Sequence, residues 1–139
     1  MGEAYFYGLT RYFDKSHERD KLSLLAQVER AAAEAVRPLL EKYDLTPRPD
    51  PELKPIGKAW IEKRQFTDWD ELMTDISVRY HVYIDHFEAL EEMAPDEDRP
   101  ALKILTEHEV VTIDFANKEL AEEPDSLAPI QRYLAQAES

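Results

Sequence analysis

Apolar positions in this chain recur every three or four residues over long stretches and nowhere alternate in twos, which is the pattern of helices with one buried face. The first long helix is predicted to begin between Asp14 and Ser16 and to run to about Tyr43, turning Leu24, Leu25, Val28, Ala32, Ala35, Leu39 and Tyr43 inward. Pro38 falls inside it, where its missing N–H should kink or break the helix. From Asp44 to Lys58 the prolines Pro47, Pro49, Pro51 and Pro55 prescribe an extended crossover, longer than neighbouring helices need. Ile56, Trp60, Ile61 and Phe66 then return the chain to the core.

A second long helix starts at Thr67-Asp68-Trp69-Asp70-Glu71, where a Thr or Asp cap precedes acids in the first turn. Its inward face is read as Trp69, Leu72, Ile76, Tyr80, Tyr83, Phe87 and Leu90, ending near Met93 before Pro95. Asp96, Asp98 and Pro100 launch a third helix that extends to about Ala121. A short last helix runs from Ser126 to about Gln136, capped by Asp125 or Ser126 with Pro129 in its first turn. The aromatic N-terminal arm (Tyr5, Phe6, Tyr7, Leu9, Tyr12 and Phe13) must pack on these elements. The expected fold is all-α: one domain over residues 1–139, a four-helix bundle of three long helices and one short one with a proline-rich crossover.

Composition narrows the function. Thirty Asp and Glu against 17 Lys and Arg give a formal charge of −13, a field that repels phosphate backbones and anionic headgroups. Nucleic acid and membrane are therefore not expected partners. With no cysteine there is no disulfide, thiolate metal site or Cys nucleophile. The N-terminal stretch carries no basic region followed by an apolar run, so the expected location is the cytoplasm. Five aromatics in the first thirteen residues are covered either within the chain or by a second copy, and a homodimer is the expected assembly.

Chemistry is concentrated at His108. A helix turns about 100° per residue, so Ala101, Leu105, His108, Thr112 and Phe115 share one face, and an imidazole there needs a hydrogen-bond partner, a metal or a ligand. Glu109 lies one step toward the edge of that face, Glu119 projects to the same side three turns on, and Glu29 stands at the edge of the first helix's apolar stripe. His86 sits at the boundary of the second helix's stripe, whereas His81 points to solvent and Asp14 with His17 reads as capping. Glu29, His86, His108 and Glu109 are thus the candidate ligand-binding residues, with His108 the candidate catalytic group. No Ser-His-Asp order and no glycine-rich phosphate loop is present.

The segments Leu24-Leu25-Ala26-Gln27-Val28-Glu29, Leu105-Thr106-Glu107-His108-Glu109 and Ile113-Asp114-Phe115-Ala116-Asn117-Lys118-Glu119-Leu120 resemble helices of the ferritin-like and rubrerythrin-like superfamily, over about half of the chain. The resemblance implies a four-helix bundle with a long crossover. Its di-iron centre draws on Glu-x-x-His pairs, and the residues three before His81, His86 and His108 are Val78, Tyr83 and Leu105. Only Glu29, His108 and Glu109 match, too few for two irons. Two functions are therefore expected: a small-molecule-binding or dimeric interaction domain without a cofactor, or a metal-assisted or general-base enzyme with a buried site at His108, Glu109 and Glu29. In the second case a single metal ion is the cofactor.

Overall fold

The computed structural model describes residues 2–45 and 68–138, and every regular element among them is helical. The crossover expected for Asp44–Lys58 therefore lies, apart from Asp44 and Leu45, outside the described residues. The N-terminal arm is itself a helix, α1 (Gly2–Leu9), continued by a 3-10 turn, Thr10–Tyr12. Tyr5, Phe6 and Leu9 fall on one side of α1 and are buried, mostly against the long helix α2 (Ser16–Lys42). Phe13 closes the same contact, so four of the arm's apolar residues are covered within the chain while Tyr7 and Tyr12 stay exposed.

α2 buries Leu22, Leu25, Ala26, Val28 and Ala32 and stays helical through Pro38, which falls in its exposed final third. It ends at Tyr43, and Asp44 turns the chain at a positive φ of 56°.

The second long helix is two helices. α3 (Trp69–Arg79) starts at the expected cap, with Asp68 accepting from the Glu71 N–H at 2.8 Å, and buries Leu72, Met73 and Ile76. At Tyr80 the backbone takes ψ −12°, flatter than the helical value, and Tyr80 O accepts from Tyr83 N, three residues on. α4 (His81–Met93) therefore restarts in a new phase: Ile84 and Phe87 turn inward, and Tyr83 and Leu90 turn out. The inward face expected for Tyr83 and Leu90 is corrected accordingly. No Gly or Pro lies between Ser77 and Ile84 to announce the break.

A 3-10 turn, Asp96–Asp98, leads into α5 (Arg99–Leu120), with Pro100 in its first turn where no N–H is missed. α6 (Ala128–Glu138) closes the described chain. α5 is the hub: α2, α3, α4 and α6 all lie on it. One apolar cluster collects Phe6, Leu22, Leu25, Leu72, Met73, Ile76, Phe115 and Ile130 from five helices. Among the described residues no helix is long and apolar enough to cross a membrane.

Candidate metal centre

α5 is wrapped on several sides, so two adjacent residues 100° apart on its surface are both enclosed. His108 is 3% exposed and Glu109 6%. The His108 ring is oriented from within its own helix: Nδ1 is hydrogen-bonded to the Leu105 carbonyl, one turn back. Thr112 Oγ1 in turn donates to the His108 carbonyl at 2.7 Å. A carbonyl can only accept, so Nδ1 carries a proton and Nε2 is the atom left for other partners, as in histidines that ligate through Nε2.

Two carboxylates meet Nε2. Glu109 Oε1 is 2.8 Å away and Glu29 Oε2, reaching over from α2, is 3.3 Å away. One donor atom from each of the three residues lies within 4.8 Å of the other two. The Phe87 ring from α4 lies tilted at 5.8 Å from the imidazole, covering that side. Glu109 Oε2 is buried with no hydrogen-bond partner. An orphaned carboxylate oxygen in such a place is a costly feature that calls for an occupant.

The electrostatics are set by the same contacts. Burial disfavours a charged His108, but hydrogen bonds and charges from Glu109 and Glu29 outweigh it and raise the imidazole to about 10. Burial, reinforced by the charge of Glu29, raises Glu109, and its bond to His108 only partly offsets this. Without a metal the cluster therefore holds its imidazole in the charged form, beside a Glu109 carboxyl that burial pushes toward its neutral form. The Tyr80 phenol, at the α3–α4 break, is held well above its ordinary value by burial and then by the charges of Tyr5, Glu29 and Glu109. Tyr133 is raised for similar reasons and donates to the Ile104 carbonyl at 3.0 Å. Both phenols stay neutral beside the acidic cluster.

The structure thus brings together three of the four candidate ligand-binding residues. His86 does not join them; it is exposed on α4, as are His81 and, at the start of α2, His17. Glu119 serves elsewhere, its Oε1 accepting from Lys21 Nζ at 2.8 Å and from Trp69 Nε1 at 2.9 Å, which ties α5 to α2 and α3. Periodicity places Phe87 on an inward face, but nothing in the spacing points it at His108. Gly2 of α1 also comes up against Glu29, a contact with no local signature in the sequence.

Donor identity decides what the cluster can hold. Two carboxylate oxygens and one imidazole nitrogen suit borderline divalent ions such as Mn²⁺, Fe²⁺, Co²⁺ or Zn²⁺. With metal–ligand bonds of about 2.0–2.2 Å in a tetrahedral site, donors sharing one ion stand about 3.3–3.6 Å apart. The 3.3 Å from Nε2 to Glu29 already matches that spacing, whereas the 2.8 Å to Glu109 is a hydrogen-bond distance that must open to admit an ion. Comparison with known proteins finds no relative: no family model, no curated protein and no solved structure matches the chain. The chemistry of the centre is accordingly read from its geometry.

Proposed function

We propose that this chain is a metal-binding helical-bundle protein in which Glu29, His108 and Glu109 hold one divalent transition-metal ion between α2 and α5. The observation that carries the reading is the setting of His108: Nδ1 is committed to a backbone carbonyl, and Nε2 faces two carboxylates, one with a buried oxygen lacking a partner. A neutral imidazole and a divalent cation would balance two carboxylates and give the unpartnered Glu109 oxygen a partner. Placing ligands on facing helices is how bundle cores hold metals, in keeping with the ferritin-like resemblance but with one ion instead of two. Three protein ligands leave coordination positions for water or substrate, the count found at catalytic ions. This favours a metal-assisted reaction over general-base catalysis by His108, whose ring is already protonated at neutral pH without a metal.

Titration of chelator-treated protein with Co²⁺, followed by its visible d–d bands and by elemental analysis, tests the proposal. One ion per chain is expected, with binding lost in Glu29→Gln, His108→Leu and Glu109→Gln. Two ions per chain, or no saturable uptake, overturns it.

A further inference from the structure

α1 begins against the end of the Glu29 side chain. A Cβ built on Gly2 would overlap the Glu29 carboxyl carbon and Oε2, and would stand only 2.9 Å from Glu29 Cγ. Oε2 is the oxygen that faces His108 Nε2. Only a residue without a side chain fits this approach.

The helix cannot back away. Phe6 and Leu9 are almost wholly buried, Tyr5 and Phe13 nearly so, and together they clamp α1 and its 3-10 turn onto α2. Beside Gly2, Glu3 pairs with Arg30 of α2 at 3.3 Å, the residue next to Glu29. The Glu29 carboxylate, by contrast, is the far end of a flexible side chain at the edge of α2, with 15% of that side chain exposed. Any side chain at position 2 is therefore accommodated by swinging Glu29 outward. That movement gives up the Glu29–His108 contact and removes one of the three donors.

We infer that Gly2 is a positioning residue for the metal centre: the missing side chain at the start of α1 holds the Glu29 carboxylate against His108. This rests on the proposed metal-binding function, and it makes the docked N-terminal helix part of the centre.

Gly2→Ala tests it. The expected result is a folded protein with a modestly lowered melting temperature, because the Glu29–His108 contact is given up, together with a roughly 10–100-fold loss of Co²⁺ affinity, the usual effect of disturbing a group that orients a ligand. A crystal structure of the metal-free variant should show Glu29 Oε2 out of hydrogen-bond range of Nε2. Ala4→Gly, which weakens α1 without a new side chain at Glu29, should leave affinity unchanged. Native affinity in Gly2→Ala, or a Glu29–His108 contact that persists in its structure, overturns the inference. If native protein takes up no Co²⁺ while Glu29 is displaced in Gly2→Ala, the metal reading falls and the positioning of Glu29 by Gly2 stands.

Discussion

Removing the His108 ring leaves Glu29 and Glu109 facing each other where little water reaches them. Breaking a buried charge pair from one side typically costs 3–5 kcal/mol. Metal-free His108→Leu should therefore lose about 3 kcal/mol in urea unfolding at neutral pH, near the low end because one carboxylate can take up a proton. The same ring gives a pH dependence whose sign is fixed. With a folded-state value of about 10 against 6.5 unfolded, its contribution is full below pH 6.5 and fades as the pH rises toward 10. The stability gap between native protein and His108→Leu should narrow over that interval; a gap that stays constant there and changes only below pH 6.5 would show the imidazole to be held neutral. His108 is legible in the sequence because an imidazole at the centre of an apolar face is conspicuous, and Glu29 because it sits at the edge of another. Their convergence with Glu109 cannot be read there, since it depends on how α2 lies on α5. Gly2 is invisible for the same reason: its partner is Glu29, far along the chain on another helix, and nothing in the local pattern marks the approach.

Among the elements, α3 and α4 show how a helical phase is lost. Counting threes and fours from Trp69 tracks the buried face as far as Ile76 and Tyr80, and then fails because the tight turn at Tyr80 rotates α4 relative to α3. No glycine or proline marks this turn, so the apolar period runs straight through it. Capping chemistry is local, and at Asp68 and Pro100 the sequence alone is enough to place it. At the far end of α2, Tyr43 and Lys42 both donate to Asp98, the latter at 2.7 Å, and tie this helix to the start of α5. Hydrogen bonds from Lys42 and then Tyr43 hold the Asp98 carboxyl below its ordinary value. Its contribution is therefore present above about pH 3.8 and is lost as the pH falls through the lower folded value. Asp98→Asn should be less stable than native protein at pH 6, and the two acid-unfolding curves should converge below pH 3.8; a constant offset down to that limit would count against the clamp.

For the molecule as a whole, a formal charge of −13 makes a bound cation favourable over long range as well as at its ligands. A ligand that binds only the folded state stabilises it by about 2.7 kcal/mol at a hundred times its Kd. For a chain of this length that corresponds to a rise in Tm on the order of 8 °C, reversed by a chelator and absent in Glu109→Gln. Equal melting curves with and without cation would contradict the proposed centre. The helices differ greatly in how firmly they are held. α5 lies at the hub, whereas α4 has no fully buried residue, yet carries the Phe87 ring that covers His108. Its contact with α5 is made by half-buried side chains such as Ile84 and Phe87 and by polar ties such as Thr106 Oγ1 to Glu91 at 2.9 Å. Segments held in this way open locally without global unfolding, so amides of α4 should exchange with deuterium well before those of α2 and α5. The consequence concerns time more than affinity: the residence time of an ion at His108 should track the opening rate of α4. Phe87→Ala, which thins that cover, should then speed cation release far more than it weakens equilibrium binding.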